Sequence, residues 1–178
     1  MSNPAPVLWF TGLSGAGKTT IGSEIRSQLQ SQGTKVELLD GDEIRAALSS
    51  DLGFSREDRD LQVRRLGWIA NLLSRNGIIV LVSAISPFKE TRNQVLSSLP
   101  WPIEIFVDAP LETLEKRDTK GLYEKVRLGL IRGLTGVDDP YEPPEFPDLH
   151  LHTAEQSLES SVEEVFTLLV KEGVIASS

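Results

Sequence analysis

The 178-residue chain contains no cysteine. Disulfides, thiolate zinc sites and cysteine nucleophiles are thereby excluded. It also lacks an apolar run long enough to cross a bilayer, and its first residues, MSNPAP, have neither the basic start nor the apolar stretch of a secretory signal. That opening reads as a loose leader, residues 1–6, on a cytoplasmic protein with no membrane partner. Basic residues are in the minority, 18 Lys and Arg against 26 Asp and Glu, for a formal net charge of −8. A general nucleic-acid partner is not expected, because neutralising a phosphate strand requires a basic face. There are only two histidines, His150 and His152. They alternate within a short strand-like segment and have no acidic ligand at helical spacing, so they read as satisfied or exposed side chains rather than as a metal site.

What is present alternates short apolar runs with longer amphipathic stretches. Residues 7–11 (VLWFT), 36–40 (VELLD), 78–85 (IIVLVSAI) and 103–108 (IEIFVD) read as strands, and 149–153 (LHLHT) adds a fifth. The third is apolar at successive positions, as in a parallel strand covered on both faces. Ile21, Ile25 and Leu29 before Gly33, and Leu66, Ile69, Leu72 and Leu73 before Gly77, give two helices with glycine stops. Ser55 opens a capped helix, Ser86-Pro87 reads as another capped start, and a last helix runs from near Leu158 to Gly173. Strands alternating with helices predict a three-layer α/β/α sandwich with a parallel sheet. The expectation is a single domain over 1–178. The Pro-rich segment 138–148 reads as an ordered loop around the body rather than as a linker.

Gly12-Leu13-Ser14-Gly15-Ala16-Gly17-Lys18-Thr19 fits G-x-x-x-x-G-K-[ST], between a strand and an amphipathic helix. The glycines let the backbone fold into a nest of N–H donors, Lys18 reaches the outer phosphates of a nucleoside triphosphate, and the Thr19 hydroxyl can hold Mg²⁺, with Thr20 beside it; the sandwich is then of the P-loop NTPase type, a single P-loop domain. The loop alone does not name a reaction. No N-K-x-D signature of a GTP switch is present, and motor ATPases are usually longer. A small kinase needs a mobile cationic cover that excludes water. Residues 115–136 supply Lys116, Arg117, Lys120, Lys125, Arg127 and Arg132, a basic segment inside an acidic chain, and read as that lid. From Asp138 onward there are ten acidic residues and one lysine.

In LLDGDEIR, Asp40 and Asp42 flank a glycine at the end of the second strand, where parallel sheets present their binding edge. Either could organise Mg²⁺-bound water or orient an acceptor hydroxyl for in-line attack; a helix cap with a turn glycine is the structural alternative. Arg45, Arg59, Arg64 and Arg65 fall on or near the same wall, with Phe54 in the preceding loop. Guanidinium forks grip oxyanions and an aromatic face stacks on a base, so this wall reads as a nucleotide or anion site.

These blocks, with SAISPF, RDTKGLY and GVDDPYE, resemble the adenylyl-sulfate kinase (APS kinase) family over about residues 8–153. The resemblance implies transfer of the ATP γ-phosphoryl group to the ribose 3′-hydroxyl of adenosine 5′-phosphosulfate (APS), giving PAPS in sulfate assimilation, with Mg²⁺ and a homodimer. It places Gly12 to Thr20 and Arg117 on ATP, makes Asp42 the base or orienting carboxylate, puts Arg45, Phe54, Arg59, Ser86 and Gln62 at the APS site, and assigns Lys120 to the lid. Where such proteins usually have Glu-Asn, this chain has Leu61-Gln62; Leu134 replaces a phenylalanine expected to stack on the acceptor adenine, Leu130 a glutamate and Arg132 a lysine. The departures gather in the acceptor half and leave a different nucleotide-linked or small anionic acceptor as an alternative. Ser86 is sufficiently explained as a helix cap, and its phosphorylation is not predicted.

Overall fold

The computed structural model describes residues 3–176. Five strands, β1 (Val7–Thr11), β2 (Val36–Asp40), β3 (Ile79–Ser83), β4 (Pro102–Asp108) and β5 (Leu149–His152), form one parallel sheet in the order β2-β3-β1-β4-β5. Helices α1 (Lys18–Ser31), α2 (Gly41–Leu48), α3 (Arg56–Ser74), α4 (Lys89–Ser98), α5 (Leu111–Arg117), α6 (Leu122–Arg127) and α7 (Leu158–Lys171) connect and cover it. β1 is central and wholly buried, and its alternating side chains enter two separate cores. Leu8 and Phe10 pack with Ile21, Ile25 and Leu29 of α1 and Val162, Val165 and Leu169 of α7. Val7 and Trp9 face the other layer, made by Val63, Leu66 and Ala70 of α3 and Val95 and Leu96 of α4. A β-carbon on Gly67 would lie 2.4 Å from Val95 Cγ1, so the close approach of α3 and α4 requires glycine there.

This is the expected α/β/α sandwich, with differences at three places. Residues 1 and 2 of the expected leader lie outside the described residues, and from Ala5 the chain is tied down rather than loose: Ala5 N–H donates to Ser74 O at 2.9 Å and Val80 N–H to Pro6 O at 3.1 Å. The third strand ends at Ser83, short of the predicted Ile85. Ser86 caps no helix. Its φ of 49° is left-handed, α4 starts only at Lys89 with Phe88 as its cap residue, and no side chain caps that end. The Ser86 hydroxyl instead accepts the indole N–H of Trp9 at 3.0 Å, and its carbonyl accepts from Arg92 Nη1 at 2.6 Å, so it satisfies buried donors brought from elsewhere in the fold.

The Pro-rich segment is fastened at several points. Glu142 N–H donates to Pro87 O, Arg92 Nη2 donates to Glu142 O, and Tyr141 Oη lies 3.0 Å from Thr11 Oγ1.

Candidate active site

The phosphate loop leaves the buried end of β1 and enters α1 through Gly17, at the C-terminal edge of the sheet where α/β folds present ligands. Gly12 has φ 149°, and a β-carbon there would lie 2.1 Å from Val107 O, so only glycine lets the loop turn against β4. Lys18 is buried and folds back on its own loop, donating to Gly12 O and Leu13 O, each at 2.8 Å. Burial, then the Lys120 ammonium, brings its pKa down to about 7 against a partial offset from Asp42 and Asp40. Ser14, Gly15, Gly17, Lys18, Thr19 and Thr20 line one cavity of about 440 Å³. Leu13 and Ala16 support the loop from outside it: the Leu13 side chain meets the backbone at Gly136, and Ala16 O accepts from Thr153 Oγ1 at 2.8 Å.

The acceptor wall forms the opposite part of the same cavity, through Asp40, Gly41, Asp42, Phe54, Arg59 and Leu134. Asp40 is the helix cap the sequence allowed, and it also reaches the phosphate loop. One carboxylate oxygen caps α2 by accepting from Asp42 and Glu43 N–H, and the other accepts the Thr19 hydroxyl. Burial alone would raise its pKa, but these bonds, the Thr19 one foremost, outweigh it and hold the carboxyl below the usual range. Thr19 also lies 2.8 Å from Ser83 Oγ, a partner the sequence did not single out. Hydroxyl and carboxylate oxygens grouped beside a phosphate loop are the donor set a hard cation such as Mg²⁺ prefers. Asp42 is exposed, and its carboxylate pairs with Lys120 Nζ across the cavity mouth.

Among the arginines, Arg59 and Arg45 are the ones at Phe54, with guanidinium carbons 5.8 Å and 5.0 Å from its ring centroid. Arg59 is buried and fully engaged: Nε donates to Phe54 O at 2.8 Å, Nη1 to Thr135 Oγ1, and Nη2 to Gly133 O at 2.6 Å and Asp139 Oδ2 at 2.9 Å. Arg45 Nη1 donates to Gly53 O. Arg65 turns away to a two-pronged pair with Asp51, and Arg64 to Gln94. Gln62 stands behind the wall, donating Nε2 to Gly41 O at 3.2 Å, with a buried Oε1 that has no partner among the described residues. Ser86 and Arg45 are likewise outside the cavity lining.

Of the six basic residues expected in the cover, Lys120 and Arg132 reach the cavity. Lys116 pairs with Glu112 one helical turn away, and Arg117 is held by Thr153 at the end of β5. Much of this segment belongs to the body: Leu114, Tyr123 and Leu134 are in the main core, and Tyr123 Oη donates to Ser14 O at 2.8 Å. Charge marked the segment, but the cations that reach the cavity sit in the loops on either side of α6, while those on α5 and α6 do not line it.

The geometry is one pocket with a phosphate loop on one side and an acidic and aromatic wall on the other. The adenylylsulphate kinase family profile matches residues 4–152. The chain belongs to the adenylyl-sulfate kinase family. An adenylyl-sulfate kinase of Synechococcus sp. (strain JA-3-3Ab) is 54% identical over 98% of this chain and 99% of its own length. One of Chloroflexus aurantiacus is 53% identical over 95% and 91%. The structure of the Mycobacterium tuberculosis APS kinase CysC in complex with AMPPNP and APS superposes with a TM-score of 0.89, at 42% identity over 94% of this chain and 99% of that one. Within this adenylyl-sulfate kinase frame, Leu134 lines the cavity near Phe54's wall while remaining buried, so an aliphatic side chain occupies the position where the sequence reading expects an aromatic platform. Thr153, Tyr123, Ser83 and Asp139 are the supporting residues the motifs did not reveal; each is brought in by packing or strand register.

Proposed function

We propose that the protein is an ATP-dependent adenylyl-sulfate kinase, moving the γ-phosphoryl group of ATP to the 3′-hydroxyl of APS to give PAPS. The observation that carries this is the single cavity joining Gly15, Lys18 and Thr19 to Asp42, Phe54 and Arg59. Loop amides and the α1 N-terminus take the triphosphate oxygens. Lys18 exchanges the carbonyls of Gly12 and Leu13 for phosphate oxygens, regaining its full charge as it does so. Thr19, backed by Asp40, would hold Mg²⁺, which would supply positive charge against the phosphates. Asp42 accepts the acceptor hydroxyl's proton or hydrogen bond, once Lys120 swings from it towards the transferred phosphoryl group. Phe54, flanked by two guanidinium groups, stacks on the acceptor base. Breaking the O–P bond to ADP and forming the new ester are positioning and charge problems, which the preorganised amides and cations address.

On this reading residues 1–178 form one kinase unit, cytoplasmic and homodimeric, with segment 115–136 closing over the substrates. Sedimentation equilibrium reads the dimer. Steady-state assays with ATP, Mg²⁺ and APS beside a panel of other nucleotides and small anionic alcohols test the reaction. Use of APS at micromolar concentration supports it; preference for another acceptor, or ATP binding without transfer, refutes it.

A further inference from the structure

The two histidines that local spacing left without an acidic neighbour acquire one from the sheet. β4 and β5 run parallel with Phe106 opposite His150 and Asp108 opposite His152, so all four side chains share one face by the two-residue period of strands. His150 Nε2 lies 3.1 Å from Asp108 Oδ2, and its ring stacks on Phe106 with centroids 4.5 Å apart. The His152 ring is 4.0 Å from that of His150. One ligand atom from each of Asp108, His150 and His152 falls within 4.8 Å of the others.

We propose that Asp108, His150 and His152 form a binding site for a borderline divalent transition-metal ion of the Zn²⁺ class, separate from the Mg²⁺ position at Thr19. Two imidazoles and a carboxylate are a donor set that suits Zn²⁺ or Co²⁺ and is poorly matched to Mg²⁺. Around a tetrahedral ion with bonds of about 2.0–2.1 Å, donors stand about 3.3 Å apart. The Asp108–His150 pair already has that spacing, and His152, exposed at the sheet edge, closes the rest by side-chain rotation. Phe106 fixes the plane of His150, as the partners of metal-bound imidazoles do. Asp108 also lines a groove of about 700 Å³ with Asp138, whose carboxylate adds negative potential. Three protein ligands leave the fourth position to water, and the half-exposed side chains of Asp108 and His150 give an entry path. The site lies next to Thr153, which holds Ala16 O of the phosphate loop and Arg117, so an ion there fastens the strand ends that support the loop.

The test uses untagged protein freed of metal with a chelator. Co²⁺ is titrated while its visible d–d absorption is followed, with Zn²⁺ as competitor, and melting is recorded with and without Zn²⁺. The expected result is one equivalent bound in a tetrahedral-type spectrum, displaced by Zn²⁺, with a raised Tm. His152→Ala, His150→Ala and Asp108→Asn should each weaken Co²⁺ binding by about tenfold or more. Lack of the Co²⁺ band, or a band of unchanged affinity in all three variants, overturns the assignment; because each residue is at the surface, the melts of the metal-free variants report whether folding is kept.

Discussion

Replacing Arg59 by alanine probes the acceptor wall most directly, because this one guanidinium ties together two segments more than seventy residues apart. Its donors reach Phe54 O, Gly133 O, Thr135 Oγ1 and Asp139 Oδ2, and the residue is 8% exposed. Truncation leaves two carbonyls and a hydroxyl without their donor, and strips a half-buried carboxylate of its ion pair. Breaking such a pair costs about 3–5 kcal/mol. For a domain of this size each kcal/mol moves the melting temperature by about 2–4 °C, so Arg59→Ala should melt about 6–20 °C lower. The loop from Gly133 to Asp139 also carries Leu134 to the cavity, so KM for APS should rise while KM for ATP stays within about twofold. Arg59→Lys keeps the charge but not the fork, and one ammonium cannot span four acceptors; it should recover only part of both losses. Thermal melts and two-substrate kinetics decide the matter. A variant that melts within about 2 °C of the parent while losing APS binding would mean that Arg59 acts on the ligand directly and that its role as a brace is wrong.

Gly12→Ala forces a methyl to within 2.1 Å of the Val107 carbonyl at φ 149°, and should cost at least about 2 kcal/mol and abolish ATP binding; a normal melt with normal ATP affinity would contradict the packing. Lys18, near pKa 7 when free, must be protonated on phosphate, so binding an ATP analogue should take up about 0.9 proton at pH 8 and about 0.1 at pH 6, read by calorimetry in buffers of differing ionisation heat. In the unliganded fold the Lys18 pKa is depressed from 10.5, so between pH 7 and 10.5 the unfolded chain keeps the proton that the folded chain has lost, and stability through this residue rises across that window, the same sign as for a carboxylate whose folded pKa is depressed. Leu134→Phe should add a stacking face worth about 1–3 kcal/mol and lower KM for APS about tenfold to a hundredfold; an unchanged or raised KM removes Leu134 from the acceptor site.

The phosphate loop and the sheet were readable because their signals are local. Small residues between an apolar run and an amphipathic helix specify one backbone path, and the Ser55 cap was legible for the same reason: its hydroxyl accepts from Asp58 N–H three residues on. Asp40 was only half legible, since a cap and a binding-edge carboxylate leave the same trace in sequence, and here the cap residue also accepts the Thr19 hydroxyl of the phosphate loop. Ser86 was misread because its decisive partner, the Trp9 indole, is 77 residues away, and nothing beside Ser86 records it. The acidic neighbour of the histidines was invisible for the same reason, as Asp108 meets them through parallel register rather than through spacing. Counting basic residues in 115–136 located a segment, but not the loop paths around α6 that bring Lys120 and Arg132 to the cavity, nor the Thr153 contact that holds Arg117 at the end of α5.

The contacts of that segment also determine which part of it can open cheaply. Lys120 and Asp42 are paired with side chains 52% and 73% exposed, a contact of the kind that contributes at most about 1 kcal/mol. Tyr123, two residues into α6, is 6% exposed and donates to Ser14 O within the main core. Undocking it would leave the buried Ser14 carbonyl without its donor, at about 1–3 kcal/mol, besides exposing the ring. Opening at Lys120 with Tyr123 left in place is therefore the less costly motion, and it releases Asp42 for the acceptor while the phosphate loop keeps its support. If the protein works as proposed, the ion pair between Lys120 and Asp42 is the contact that substrates must displace, freeing Asp42 for the hydroxyl and Lys120 for the phosphoryl oxygens.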